Sequence, residues 1–224
     1  GGLAKDAIVM SWRGMKGGVE AARQGHRVIM TPFEHCYLDL YQGDPAVEPN
    51  TYSMLRLRDC YKFSIVPDSI DASFVLGGQG NLWAESIPHY RQVEYMTWPR
   101  AMAISETLWN ETDSRNWDFF IQRVESQFRY LDRLNVNYAR SIYDPIISPS
   151  INDGELRIEL TTEISGLDIF YTFDNTNPDC YSNLYTTAKN ATMLKVVTYR
   201  GKCPIGKQIN LTIEELKERA KKKE

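Results

Sequence analysis

The chain has 224 residues, 42% hydrophobic and 25% charged, the balance of a globular protein with room for one large or two modest cores. A net charge of −3 offers no basic footprint for nucleic acid, and the one basic cluster, "KERAKKKE", reads as the solvated end of a terminal helix. No apolar run approaches the roughly 20 residues of a membrane-spanning helix, and four cysteines are too few for a disulfide scaffold and fit no zinc spacing.

In chain order, "DAIVMSW" is a short apolar run with β-branched residues and predicts a strand. "GGVEAARQG" predicts a short helix, opened at Gly17-Gly18 and closed by Gly25. "HRVIMTP" predicts a second strand that Pro32 stops. "FEHCYLDLYQGDPAVEPN" predicts a loop longer than a plain connector, and such loops commonly carry function. "TYSMLRLRDCYKF" predicts a helix and "SFVLGG" a third strand. From Ile87 to Trp109 the pattern predicts a long helix that Pro99 kinks or breaks. "NWDFFIQRVESQFRYLDRLN" predicts an amphipathic helix with Phe119, Phe120, Val124, Phe128, Leu131 and Leu134 on its apolar side. Strand and helix alternating in this way predict βα units around a parallel sheet, so residues 1–144 are expected to be α/β.

After "YDPIISPSIND" the texture changes. "LRIELTTE", "DIFYTFD", "TMLKVVTYR" and "KQINLTI" alternate with period two, and turns rich in Asn, Asp, Gly and Pro separate them. Residues 145–214 are therefore expected to form a small antiparallel β-sandwich, and residues 215–224 a charged helical tail. A disulfide between Cys180 and Cys203 stays open. Asn110, Asn190 and Asn210 head N-x-Thr triplets, which matter only in a eukaryotic secretory pathway. Gly1-Gly2 is not a natural start, so the chain is expected to come from a longer protein.

Ligands of parallel α/β folds bind past the C-terminal ends of strands. Trp12 and Arg13 follow the first strand; Glu34, His35, Tyr37 and Asp39 the second; Gln79, Asn81, Trp83 and Glu85 the third. A lone tryptophan there is more often core, and Glu34 with His35 more often a solvated face. Aromatics recurring at successive strand ends, with carboxylates and amides beside them, instead suit a sugar. Its C–H faces stack on rings, and its hydroxyls pair with carboxylates and amides. Gly77, Gly78 and Gly80 would let the backbone come close to such a ligand.

"VMSWRG", "TPFEHCYLDLYQGDP" and "VLGGQGNLWAESIPHYRQVEYMTWPRAMAISETLW" together resemble the C-terminal portion of the catalytic barrel of glycoside hydrolase family 20, the β-N-acetylhexosaminidases, over about residues 7–110. "ISGLDIFYTFDNTNPDCYSNLY" resembles the small β-sandwich appended to chitobiase-type members. The family fold is a (β/α)8 TIM barrel, which typically needs about 250 residues. The resemblance makes the three strand units here the sixth, seventh and eighth. It implies that Trp12, Trp83 and Tyr37 line the pocket for the N-acetylhexosamine ring. Tyr37 then bonds the acetamido carbonyl, and Asp39 and Glu85 hold sugar hydroxyls.

The family mechanism is substrate-assisted: the acetamido oxygen attacks the anomeric carbon, a glutamate protonates the leaving oxygen, and a neighbouring aspartate orients the acetamido nitrogen. That Asp-Glu pair follows the fourth strand, and no adjacent Asp-Glu pair follows an apolar strand here. Tyr52 stands roughly where many members carry a further tryptophan. The resemblance thus implies a fragment of a hydrolase of terminal non-reducing N-acetyl-D-hexosamines, inactive alone and completed by the missing N-terminal barrel half. The alternative is a non-catalytic carbohydrate-binding or scaffold module. The expected partners are glycans containing N-acetylglucosamine or N-acetylgalactosamine, with a homodimer through the exposed sheet edge. A secreted, periplasmic or cell-surface bacterial parent is expected, with no cofactor and no metal.

Overall fold

The computed structural model describes residues 2–179 and 191–222. Cys180 and Asn190 lie outside the described residues. The chain divides into two compact units, residues 1–41 with 51–139 and residues 42–50 with 140–224. The division is not linear: part of the long loop after the second strand folds with the second unit.

In the first unit, β1 (Ile8–Ser11), β2 (Arg27–Met30) and β3 (Val75–Gly78) form a parallel sheet in sequence order. The register pairs Val9 with Val28 and Val28 with Val75, and shifts at Val28/Ile29, so that Ile29 faces Gly77. α1 (Lys16–Arg23) joins β1 to β2 and buries Gly18, Ala21 and Ala22. Gly18 is there for space, since a Cβ at this position would meet Met30 Sδ at 2.7 Å and Ser11 Cβ at 2.9 Å. Its N–H donates to Ser11 Oγ at 2.8 Å, which ties helix to strand.

Two short helices, α2 (Phe33–Cys36) and α3 (Leu57–Tyr61), lie between β2 and β3. The former sits inside the stretch expected to be loop, and the latter is all that forms of the helix expected over "TYSMLRLRDCYKF". The expected long helix after Ile87 is two helices, α4 (Tyr90–Thr97) and α5 (Arg100–Trp109). The break falls at Trp98-Pro99, a cis peptide, where Pro99 has no N–H to continue the ladder and Trp98 is extended. α6 (Trp117–Arg133) is capped by Asn116, whose side chain accepts from Phe119 N–H at 3.0 Å. It buries Phe120, Ile121, Val124 and Phe128, whereas Phe119 and Leu134 are exposed. The stripe is centred one position later than the apolar spacing implied.

In the second unit, β4 (Pro145–Asn152) and β5 (Glu155–Thr162) form an antiparallel hairpin. Asp153 and Gly154, both at positive φ, make its two-residue turn, the geometry whose twist suits a hairpin. β6 (Asp168–Thr172), β7 (Met193–Arg200), β8 (Cys203–Pro204) and β9 (Ile209–Thr212) form a second antiparallel sheet around β7. α7 (Ile213–Lys221) ends the described chain. Ile147, Leu194, Val196, Ile209, Leu211 and Leu216 make the buried core of this unit.

The 42–50 excursion is fixed by charge. Asp44 takes both arms of the Arg219 guanidinium at 2.6 and 2.9 Å, and Glu48 takes Lys207 at 2.9 Å. No helix among the described residues is long and apolar enough to cross a membrane.

Candidate functional site

Hydrogen bonding of the sheet continues past the strand ends. Thr31 N–H donates to Ser11 carbonyl at 3.1 Å, Gln79 N–H to Met30 carbonyl at 3.2 Å, and Phe33 N–H to Trp12 carbonyl at 2.9 Å. One step further, Tyr37 and Asn81 form a parallel bridge: Leu38 N–H donates to Asn81 carbonyl at 2.6 Å and Asn81 N–H to Cys36 carbonyl at 2.8 Å. The residues after three separate strands are thereby held in register on one side of the sheet.

They enclose a cavity of about 750 Å³, lined by Trp12, Tyr37, Asp39, Trp83 and Glu85 together with Met10, Thr31, Tyr52, Gln79, Asn81 and Ser86. Trp12 and Trp83 are 48% and 49% exposed, so each presents about half of itself to solvent, whereas Tyr37 and Asp39 are buried. The Tyr37 and Trp83 rings are 6.2 Å apart and inclined at 47°, a tilted aromatic wall. The Arg13 guanidinium lies over the Trp12 ring at 4.6 Å, which supports that ring without lining the cavity.

The polar floor is a chain of side-chain bonds. Gln79 Nε2 donates to Asn81 Oδ1 at 2.6 Å, Asn81 Nδ2 donates to Thr31 Oγ1, and Thr31 Oγ1 donates to Gln79 carbonyl at 2.8 Å. A second polar pair lines the cavity: Tyr52 hydroxyl donates to Asp39 Oδ2 at 2.6 Å. The Tyr52 phenol is pushed above its ordinary pKa, first by desolvation, then by the Asp39 bond and by the charges of Asp39, Glu85 and Tyr37.

Glu34 and His35 are not part of the lining. His35 Nδ1 bonds Asp59 carbonyl at 2.7 Å, and its ring stacks on Phe63 at 5.5 Å. Two of the three glycines expected near a ligand are close to the interior: a Cβ at Gly78, the last residue of β3, would meet Leu108 Cδ2 at 2.7 Å, and one at Gly80 would meet Ile104 Cδ1 at 3.0 Å, whereas an added Cβ at Gly77 would meet nothing within 4 Å. Among the described residues no group of three or more His, Cys, Asp and Glu is placed to hold a metal.

Residues 2–112 match the family model "Glycosyl hydrolase family 20, catalytic domain". A β-hexosaminidase of Porphyromonas gingivalis is 36% identical over 83% of this chain and 25% of its own length. The chain belongs to glycosyl hydrolase family 20. An N,N'-diacetylchitobiase of Vibrio harveyi is 25% identical over 75% of the chain and 24% of its own length. The fold is similar to that of a family 20 exo-β-N-acetylglucosaminidase from Vibrio harveyi, solved in complex with N-acetylglucosamine. That likeness has a TM-score of 0.56 and 31% identity, over 61% of this chain and 22% of that one. The chain thus spans about a quarter of the length of these family 20 relatives.

Within this family 20 segment, Met10, Thr31 and Ser86 also line the cavity without a signal in the sequence that marks them. Arg100, in a stretch whose pattern predicts only helix, is fully buried and donates to the carbonyls of Leu38 and Leu40 on either side of Asp39. The single signal for Arg100 was a cation directly after proline in the otherwise apolar "WPRAMAI".

Proposed function

We propose that this chain is the sugar-holding side of a β-N-acetylhexosaminidase whose remaining barrel lies in the parent protein. On this reading residues 1–144 are the last three βα units of a TIM barrel with its closing helices, residues 145–214 a β-sandwich, and residues 215–224 a helical tail. The parent hydrolyses terminal non-reducing N-acetyl-D-hexosamines with retention, the substrate's acetamido oxygen acting as nucleophile. Trp12 and Trp83 stack on the apolar faces of the ring. Tyr37 hydroxyl donates to the acetamido oxygen and so aims it at the anomeric carbon. Asp39 and Glu85 accept from ring hydroxyls. A polymer or glycan substrate of this kind argues for a secreted, periplasmic or cell-surface parent.

The observation that carries this reading is the convergence on one cavity of two half-exposed indoles, a buried tyrosine and two carboxylates from three strand ends. A cavity of about 750 Å³ lies within the size range of small-molecule sites.

The chain alone is inactive on this reading. A glycosidase must protonate its leaving group, and a placed general acid contributes roughly 10²–10⁴-fold. The carboxylates in the cavity are assigned to hydroxyls, and the sequence has no Asp-Glu pair after a strand. The open edge of β1 is where the rest of the barrel would pair, or a second copy of this chain in its absence.

The test uses the purified chain. N-acetylglucosamine is expected to shift the indole N–H resonances of Trp12 and Trp83, and glucose, which lacks the acetamido group, is expected not to. Equal shifts with both sugars, or none with either, would reject the site. An aryl N-acetyl-β-glucosaminide is expected to remain unhydrolysed; turnover abolished by replacing one of the chain's own carboxylates would show that the general acid lies within it.

A further inference from the structure

The two oxygens of Asp39 are not equivalent. The residue is 4% exposed; its Oδ2 accepts from Tyr52 hydroxyl at 2.6 Å, while its Oδ1 is buried with no hydrogen-bond partner. A buried carboxylate oxygen without a donor is costly and asks for an occupant, and Asp39 lines the cavity.

The main chain at Asp39 has little freedom to relieve this. Arg100 donates to the carbonyls on either side, Leu38 and Leu40, the latter at 2.9 Å. Thr51 Oγ1 donates to the carbonyl of Asp39 itself at 2.6 Å. Tyr41 N–H to Ser53 carbonyl at 2.7 Å and Leu55 N–H to Tyr41 carbonyl at 2.8 Å hold the two arms of the loop together. With the backbone fixed, the carboxylate plane is set by the bond from Tyr52. Tyr52 is 68% exposed as a residue, so it adds little packing; what it contributes is its hydroxyl.

We infer that Tyr52 is a positioning residue, locking Oδ2 of Asp39 so that Oδ1 alone meets a single sugar hydroxyl. The inference rests on the N-acetylhexosamine reading of the cavity. A carboxylate with both oxygens free can bridge two neighbouring hydroxyls and tolerate either arrangement of them. One with a single free oxygen in a fixed plane reads one hydroxyl in one direction, so Tyr52 sharpens discrimination between N-acetylhexosamines that differ in the configuration of a ring hydroxyl.

Two measurements on the chain test this. In the first, the ¹³Cζ resonance of Tyr52 is titrated with pH. The phenol is held above its usual value by burial, by Asp39 and by the neighbouring charges of Glu85 and Tyr37. Asp39→Asn is expected to bring it down toward the ordinary ~10, and an unmoved titration would overturn the lock. In the second, N-acetylglucosamine and N-acetylgalactosamine are titrated against wild type and Tyr52→Phe. The expected result is roughly tenfold weaker binding of the preferred sugar, the scale of one charge-assisted hydrogen bond, with the ratio between the two sugars moving toward one. Binding within about twofold of wild type and an unchanged ratio would overturn the positioning role. No signal from either sugar with wild type, alongside the expected tyrosine titration, would instead reject the sugar reading and leave the Tyr52–Asp39 lock standing.

Discussion

Arg100 is a fully buried charge in the first unit, and its guanidinium donates to the carbonyls of Leu38, Leu40, Leu55 and Met96. A planar fork with several fixed donors suits such a cluster; an ammonium, a point charge on a flexible stem, does not. Arg100→Met is therefore expected to lower stability by at least about 3 kcal/mol, because buried carbonyls lose their donors together. Arg100→Lys is expected to recover little of this. Urea midpoints measure both, and a midpoint within error of wild type for either would refute the account. Trp83→Ala addresses the cavity wall: it removes one stacking face and is expected to weaken N-acetylglucosamine binding about tenfold, read by isothermal titration. At this scale the sequence grouped Trp12, Tyr37, Asp39, Trp83 and Glu85 past the ends of three strands, and all five line one cavity. Arg100 acts on a carbonyl 62 positions away, and Tyr52 on a carboxylate 13 positions away across a turning loop. Such bonds leave no periodicity to read.

Among elements, those with a strong local signal followed the pattern and those without one did not. The three parallel strands, α1 and α6 rest on apolar runs, glycines and amphipathic spacing. "TYSMLRLRDCYKF" gave only α3, since its N-terminal part instead pairs Tyr41 with Met54 in an extended bridge. Tertiary pairing there overrode propensity. α7 shows a legible end: Thr212 Oγ1 accepts from Glu215 N–H at 3.2 Å, while Glu215 Oε2 accepts from Thr212 N–H at 2.7 Å, a reciprocal capping box. Thr212→Ala is expected to cost about 1 kcal/mol by thermal unfolding. The Thr212 backbone N–H, then its hydroxyl, hold the Glu215 carboxyl below its usual pKa. The sign follows from that depression. The Glu215 half of the cap is in full force above the unfolded carboxylate value and fades as pH falls through the lower folded one. Wild type and Glu215→Gln should therefore converge in stability on acidification, and a difference that persists at pH 2 would contradict the assignment; the cost of Thr212→Ala, whose hydroxyl accepts from Glu215 N–H at any pH, should persist.

For the whole molecule, the decisive feature is how much apolar strand surface the chain leaves open. Parallel sheets occur almost only with both faces covered. Here one face is satisfied: Ser11, Val28 and Met30 are buried, with Ser11 and Met30 packed beside Gly18 of α1. The other face is not, since Ile8, Met10 and Leu76 are exposed. β1 also has a strand on one side only among the described residues. An unpaired edge next to an uncovered apolar face is a template for a further strand, whether from the rest of the barrel proposed above or from another copy of this chain. Isolated at micromolar concentration, the chain is therefore expected to self-associate, with a sedimentation coefficient that rises with concentration. Met10→Lys places a charge on the open face without touching the buried one, so it should shift the distribution toward monomer while leaving the unfolding midpoint nearly unchanged. A wild-type chain that sediments as a single monomer across the concentration range would show that this face is tolerated in water, and the case for a missing partner strand would lose its physical basis.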